Sequence, residues 1–131
     1  MQTFKVSTSS RDQLLDITPQ VRQAQRDVGD DVSYVIVYVL HTTAGVMINE
    51  NADPDVAADM LKQLDEMVPR RQPFYQHAEG NSASHVKASM MGSSVTVLID
   101  GGKLVLGRWQ GIYLAEFDGP RTRQVHLQFG R

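Results

Sequence analysis

The sequence contains no cysteine, and this absence removes several classes of chemistry at once. Disulfides, thiolate nucleophiles, iron–sulfur clusters and cysteine-bound zinc all need a thiol. Any metal ion must therefore be held by histidine, carboxylate or carbonyl oxygen. Long apolar runs are also absent. The longest, residues 35–40, is far shorter than the ~20 residues that a membrane-spanning helix needs.

The chain also has no strong excess of charge of one sign. It carries 13 basic and 15 acidic residues, for a net charge of -2, which disfavours a polybasic nucleic-acid binder. Residues 1–10 lack a basic segment followed by an apolar core, so they predict no signal peptide. We therefore expect a cytoplasmic globular protein that binds neither nucleic acid nor membrane.

The patterning predicts a compact single α+β domain over residues 1–131, because strands outnumber helices and no regular βαβ alternation occurs. Thr18 and Pro19 predict the start of a first helix that ends at Gly29, and Asp53 predicts the cap of a second that runs to about residue 68. A third helix is expected after Asn81 or Ser82. Predicted strands, in a mainly antiparallel sheet, cover residues 3–9, 32–40, 45–49, 94–99, 103–106, 112–117 and 123–129. The second of these is β-branched or aromatic at almost every position, which is typical of a strand buried on both faces.

Residues 77–85 concentrate polar chemistry in nine positions, with His77, Glu79, Asn81, Ser82 and His85 among them. The stretch precedes a predicted helix, whose N-terminus favours anions. This arrangement suits a site where imidazoles hold a metal or move a proton beside donors for a phosphate. The alternative is a capped helix with solvated histidines.

His41 follows the predicted central strand, where a rigid element ends in a polar cluster typical of a ligand site. Three neutral imidazoles with an open position bind zinc in known catalytic centres. We therefore expect His41, His77 and His85 to converge on one divalent ion, Zn or Mg, with a carboxylate or water completing the shell. His77 and His85 are eight residues apart, which does not fit one helix face, so the chain must reverse near Gly80. The same cluster also suits direct binding of an anion.

The remaining candidates each have a structural alternative. Glu50 is a candidate ligand or base, although acidic groups also favour the start of a helix. Glu116 is on the same face of its predicted strand as the apolar residues Ile112 and Leu114. It is therefore either a carboxylate that faces a site or a charge that keeps an edge strand soluble. Arg121 is a candidate phosphate contact, and the alternative is an ion pair with Asp118 across its own turn. His126 falls on the polar face of the last strand and is expected to be solvated.

Several separated motifs together resemble the YjbQ-like family, often labelled secondary thiamine-phosphate synthase. They are His41-Thr-Thr-Ala-Gly, Asn49-Glu-Asn-Ala-Asp-Pro-Asp, His77-Ala-Glu-Gly-Asn-Ser-Ala-Ser-His, the run from Asp100 to Gly111, and Glu116-Phe-Asp-Gly-Pro-Arg. The resemblance spans essentially the whole chain and implies a homotrimer with a polar pocket that gathers the three histidines. The full candidate set is Glu50 and Glu116 for catalysis, the three histidines for metal, and Asn49, Asn81, Ser82, Gln110 and Arg121 for ligand binding.

Three functions fit this set. Thiamine-phosphate synthesis joins a hydroxymethylpyrimidine diphosphate to a thiazole phosphate and expels pyrophosphate, so the site must neutralise phosphate charge. The usual synthase is a barrel of about 250 residues, and a chain of this length would need an unrelated scaffold and a secondary activity. The second function is a metal-dependent hydrolase of a small phosphorylated metabolite, in which Glu50 or Glu116 activates water. The third is a non-enzymatic trimeric binding module for a small anion.

The trimer has a physical argument of its own. A small sheet is not expected to bury by itself the aromatic side chains of Trp109, Tyr113 and Phe117. We therefore expect subunits to cover part of them in a trimer.

Overall fold

The computed structural model describes all residues, 1–131, as eight strands and three helices. Their order is β1 (Gln2–Ser7), β2 (Gln13–Asp16), α1 (Thr18–Val28), β3 (Tyr34–Val39), β4 (Ala44–Glu50), α2 (Pro54–Met67), α3 (Ser82–Met91), β5 (Ser94–Asp100), β6 (Lys103–Leu104), β7 (Gln110–Glu116) and β8 (Thr122–Gly130). All paired strands are antiparallel. The predicted α+β domain with three helices is confirmed. None of these helices is long and apolar enough to cross a membrane.

Two sheets stack to form the main core. The five-stranded sheet has the order β1-β8-β3-β5-β6, and the three-stranded sheet has the order β2-β7-β4. Their facing sides, with α1, bury one apolar cluster that includes Val37, Val97, Leu127, Val46 and Leu114. Because side chains alternate along a strand, the other side of β7 is free to pack elsewhere. Ala115 of β7 and Phe117, which follows the strand, contact Leu64 of α2 and Ala88 of α3, so α2 and α3 form a third layer.

Within the single chain β7 is the strand that is buried on both faces, whereas β3 is buried on one face only, so the prediction of that role for residues 32–40 is wrong for the single chain. Tyr38 of β3 is 46% exposed, because no helix covers the outer side of the five-stranded sheet. β2 was not predicted, since four residues are too few to show a period. Tyr113 and Phe117 are buried within the single chain, and only Trp109 is mostly exposed. The aromatic argument for a trimer therefore rests on one residue of the three.

Local side chains fix where the helices begin. Asp53 accepts a hydrogen bond from the Asp55 amide at 2.9 Å, as predicted for the cap of α2. The prediction that Thr18 caps α1 is wrong, because Ile17 is the N-cap residue. The Thr18 hydroxyl instead accepts from the Ile112 amide of β7 at 2.8 Å. Thr18 therefore joins the helix to the sheet.

Gly45 allows α3 to lie directly on β4. A Cβ atom at this position would be 2.7 Å from the Gly92 carbonyl oxygen and 2.9 Å from Met91 Cβ. Any larger residue would therefore push the end of α3 away from the sheet. The contact sets the position of the helix that carries His85.

Glu116 and Arg123 form an ion pair that is almost completely buried, at 0% and 5% exposure. Arg123 Nε donates to Glu116 Oε1 at 2.8 Å, and an Nη2 nitrogen donates to Oε2. The Thr8 hydroxyl donates to Oε1 at 2.8 Å, and the amides of Phe117 and Asp118 each donate to Oε2 at 3.1 Å. The carboxylate therefore accepts five hydrogen bonds, and the pair joins β7, β8 and the segment after β1.

We expect Glu116→Gln to lower the free energy of unfolding by about 3–5 kcal/mol, because it leaves the Arg123 guanidinium buried without its counter-ion. Urea denaturation measures this change. Asp31→Asn is the matched control, since it removes an equivalent pair with Arg131 that is exposed, and exposed pairs contribute about 0–1 kcal/mol. Equal effects of the two substitutions would contradict the role assigned to the buried pair.

Candidate functional site

A cleft forms where three connections meet: the loop between β3 and β4, the N-terminus of α3, and the turn between β7 and β8. It consists of two adjoining depressions of ≈ 450 and ≈ 290 Å³. His41, Thr42 and His85 line both of them. The smaller depression is also lined by Glu79, Asn81, Asp118, Arg121 and Arg123. Two of the three predicted histidines therefore face one space.

The third histidine, His77, lies against His85. Their ring centroids are 5.5 Å apart and the ring planes meet at 81°. Gly80 has φ of 70°, and its amide donates to the His77 carbonyl at 3.0 Å. A positive φ favours glycine, so the chain reversal that the spacing requires occurs at the expected residue. His77 Nε2 also lies 3.5 Å from Glu79 Oε2.

His41 is fixed by the backbone of β8. Its Nε2 accepts a hydrogen bond from the Gln124 amide at 2.9 Å, which assigns the proton of the neutral ring to Nδ1. Burial, followed by the charge of Arg123, lowers the pKa of His41 from its usual value of 6.5. His41 is therefore neutral near pH 7, and its Nδ1–H is a donor without a partner in the chain.

The three histidines do not form the predicted metal shell in this arrangement. No group of three or more His, Asp and Glu side chains is placed to hold a metal ion. His77 and His85 are close, but the Nε2 lone pair of His41 is already used by Gln124. Zinc or magnesium at this cleft stays a prediction that needs a rearranged His41 or other ligands.

Asn81 is the N-cap residue of α3, and its side chain is poorly satisfied. It is 4% exposed, and its Nδ2 donates to Asp118 Oδ2 at 2.8 Å. Its Oδ1 is buried without a hydrogen-bond partner and makes no capping bond. The amides of Ser82 and Ala83 also have no acceptor in the chain. A buried unpaired polar group costs about 1–3 kcal/mol, so these groups are suited to contact a ligand.

Arg121 forms the ion pair with Asp118 that was the alternative to a phosphate contact. Its Nε donates to the Asp118 carbonyl at 2.8 Å, and its Nη2 lies 3.1 Å from Asp118 Oδ2. The side chain is 53% exposed, and Nη1 makes no hydrogen bond within the chain. One nitrogen of the guanidinium is therefore free for a ligand in the cleft.

Asn49, Glu50 and Gln110 lie at the opposite end of the three-stranded sheet. β4 begins beside the cleft at Ala44 and ends at Glu50, about 20 Å away at 3.3 Å per residue. Glu50 pairs there with Gln110. Asn49 Oδ1 accepts from the Glu50 amide at 2.7 Å, and Gln110 Oε1 accepts from the Gly107 amide at 2.7 Å. Within one chain these three predicted site residues do not join the histidines.

Tyr113 gives this distal end a polar contact of its own. Its hydroxyl donates to the Glu50 carbonyl at 2.9 Å. Burial raises the pKa of Tyr113, and the nearby carboxylates of Asp16 and Glu50 raise it further.

Glu116 is buried and does not line the cleft, so its role as a base stays a prediction that needs its partners to rearrange. Both of its oxygens accept bonds from Arg123, Thr8 and two amides. Arg123 was missed, although its strand pattern signals it: it shares the inward parity of Val125 and Leu127. An arginine on an inward face needs a buried acid as its partner. Arg123 also donates to Thr43 Oγ1 at 2.8 Å.

The fold and cleft define a class of protein: two stacked antiparallel sheets with a helix layer and a histidine-lined cleft at one end. Residues 2–131 match the family described as UPF0047 protein YjbQ-like. The chain belongs to this family, so the resemblance seen in its motifs is confirmed.

Relatives match over nearly their whole lengths. The UPF0047 protein YugU of Bacillus subtilis is 45% identical over 128 residues, which cover 98% of this chain and 97% of YugU. A UPF0047 protein of Methanocaldococcus jannaschii is 44% identical over 125 residues, 95% of this chain and 90% of the relative.

Solved structures give the same result. A YjbQ/UPF0047 family protein from Clostridium acetobutylicum has a TM-score of 0.95 at 49% identity and covers 98% of this chain and 99% of its own. A protein from Aeropyrum pernix has a TM-score of 0.93 at 36% identity, with 99% and 98% covered. The names of these four proteins state no activity.

We expect His41 to be the Nδ1–H tautomer and to gain its second proton below pH 6.5, because burial and Arg123 disfavour the cation. As the pH falls through 6.5, the unfolded chain binds this proton first. The free energy of unfolding therefore decreases as the pH is lowered from 6.5 to the folded pKa of His41. Below that pKa the His41 contribution to the free energy of unfolding no longer changes. Long-range ¹H–¹⁵N NMR of the imidazole identifies the tautomer and the pKa.

His41→Asn is the matched variant for the stability measurement. Urea midpoints above and below pH 6.5 should change less in this variant than in the wild type, since its side chain does not titrate. An Nε2–H tautomer, or titration of His41 above 6.5, would contradict the assignment.

Proposed function

We propose that the histidine-lined cleft binds a small phosphorylated metabolite at the N-terminus of α3. The observation that carries this proposal is the set of unpartnered polar groups there: the amides of Ser82 and Ala83 and the buried Oδ1 of Asn81. Helix N-terminal amides favour oxyanions. A buried carbonyl oxygen needs a donor, so the ligand should carry an O–H or N–H group close to its phosphate.

Two further donors support a phosphate at this position. His41 Nδ1–H comes from the loop after β3, and Arg121 Nη1 comes from the turn before β8. Asp118 already offsets the Arg121 charge, and Glu79 adds a negative charge at the rim. Recognition would therefore depend on the geometry of the hydrogen bonds more than on net charge.

The function that best combines this cleft with the family label is a thiamine-phosphate synthase-like transfer of low rate. The reaction handles two phosphorylated substrates and releases pyrophosphate, so it needs a phosphate-binding cleft with a proton donor. We assign the proton-transfer role to His85, because it lines both depressions and its ring, unlike that of His41, makes no hydrogen bond to the backbone. We assign no step to a metal ion, since the side chains present do not fit one.

A homotrimer is part of this proposal, and the outer face of the five-stranded sheet supports it. Tyr38, Leu40 and Leu98 are 46%, 49% and 63% exposed on or next to this face. Adjacent apolar side chains that no segment of the chain covers are typical of an interface between subunits.

We expect Arg121→Ala to weaken binding of inorganic phosphate and of the thiazole phosphate by about tenfold or more, because a hydrogen bond to a charged group contributes about 1.5–3 kcal/mol. Isothermal titration calorimetry measures both affinities. Arg71→Ala is the matched control, since Arg71 is an exposed arginine outside the cleft. Unchanged affinity in Arg121→Ala would remove this residue from the site.

A turnover assay on untagged protein separates the three functions. Thiamine phosphate formed from both phosphorylated substrates, at a rate that a chelator leaves unchanged and His85→Gln lowers, supports the transferase. Hydrolysis of a phosphate ester that a chelator stops, with stoichiometric metal in elemental analysis, would replace it with the hydrolase. Binding without turnover would leave the binding module.

We expect light scattering to give about three times the chain mass of 14.6 kDa. Tyr38→Glu should dissociate the assembly, because it places a charge on the outer sheet face. Met67→Glu, at an exposed apolar residue at the end of α2, is the matched control and should leave the mass unchanged. A wild-type mass of 14.6 kDa would contradict the trimer.

A further inference from the structure

A second cleft lies between α1 and the hairpin of β5 and β6. Its volume is ≈ 400 Å³, and its lining residues are Arg22, Gln25, Arg26, Gly102, Lys103 and Leu104. Three of these six residues are cationic, none is acidic, and only one has an apolar side chain. Near this cleft, Leu98 of β5 pairs with Tyr34 at the start of β3, whereas His41 follows the end of β3. The two clefts are therefore at opposite ends of that strand.

Two secondary-structure elements bring the three cations together. Arg22 and Arg26 are four residues apart on α1 and so share one helix face. Lys103 comes from β6, whose register is fixed by pairing with Asp100. None of the three forms an ion pair within the chain, although eight such contacts occur elsewhere. Like charges at this spacing repel each other, so the arrangement is mildly unfavourable without an anion.

The acids near this cleft, Asp27, Asp30 and Asp100, form no ion pair with its three cations. Asp27 accepts a hydrogen bond from Gln23 at 3.0 Å. Asp30 packs its carboxylate against Gly102 and makes no ion pair. The whole chain has more acids than bases, so a cleft lined by three cations and no acid is not a result of overall composition.

Helix stability explains only one of the three cations. Arg26 lies in the last turn of α1, where a positive charge interacts favourably with the helix dipole. That effect is confined to the last turn, so it does not account for Arg22. It does not involve Lys103, which belongs to a different element.

The rest of the lining limits what the cleft can recognise. Gln25 is 4% exposed and donates to the Gly29 carbonyl at 3.3 Å, so it is a fixed part of the wall between the two arginines. Leu104 is the single apolar contact, which is too little to hold an aromatic ring or a lipid chain. The cleft is therefore suited to a compact, highly charged group.

We propose that this cleft binds the polyphosphate group of a small molecule and that Arg22, Arg26 and Lys103 contact its oxygens. Guanidinium groups match the oxygen geometry of phosphates in pairs, and lysine adds a point charge. The negative charge of a diphosphate or triphosphate matches three cations better than the smaller charge of a single phosphate does. The site is separate from the histidine-lined cleft and does not depend on the function proposed there.

Calorimetric titration of the full chain with inorganic triphosphate, pyrophosphate and sulfate tests the proposal. Affinity should increase from sulfate to pyrophosphate to triphosphate and decrease with salt. Arg22→Gln/Lys103→Gln should weaken triphosphate binding by at least about tenfold. Lys62→Gln/Arg71→Gln changes the net charge equally at exposed positions outside the cleft and should leave the affinity within about twofold.

NMR separates this site from the first one. Triphosphate should shift the amide signals of Gly102 and Lys103 in the wild type and in Arg121→Ala alike. If Arg121→Ala lost triphosphate binding and Arg22→Gln/Lys103→Gln kept it, the anion would bind at α3 and the proposal would be overturned. Absence of triphosphate binding would also overturn it, as would tighter binding of a single-stranded oligonucleotide through the same cations.

Discussion

The buried ion pair between Glu116 and Arg123 is the interaction on which the architecture of the histidine-lined cleft depends. It joins the end of β7 to the start of β8, and it also binds Thr8 and Thr43. Asp118 follows one partner and Gln124 follows the other, so the pair determines where both lie. Burying two charges costs desolvation energy, which is offset only when hydrogen bonds are complete. Here the carboxylate accepts five hydrogen bonds and Arg123 donates through both Nε and Nη2, so the pair forms a fixed frame beneath the cleft.

A second buried charge holds the helix that faces this frame. Lys87 of α3 is 3% exposed and contacts Asp12 at 2.8 Å and Asp65 of α2 at 3.0 Å. Its hydrogen bond lowers the pKa of the Asp65 carboxyl. Lys87 and the close approach at Gly45 together fix α3 on both sides. The donors at the start of the helix are thus held in place before any ligand arrives, which reduces the cost of ordering on binding.

Charge is distributed differently in the two clefts. In the histidine-lined cleft, Asp118 accepts from both Asn81 and Arg121, so its positive charge is largely offset. Such a cleft discriminates by the placement of donors and acceptors. In the cleft on α1 the three cations form no ion pair, so affinity there should follow the charge of the ligand. A protein with a small negative net charge can thus present one selective and one strongly cationic surface.

The sequence by itself determined the features that depend on neighbouring residues: the α+β class, the Asp53 cap, the turn at Gly80, the family and the meeting of His77 with His85. It did not determine what long-range contacts decide. Gln124, 83 residues after His41, takes the Nε2 lone pair that a metal would need. Arg123 forms an ion pair with the Glu116 carboxylate, and the length of β4 separates Glu50 from the histidines. Whether a polar side chain is free for chemistry depends on partners far away in the chain, and only the tertiary structure selects them.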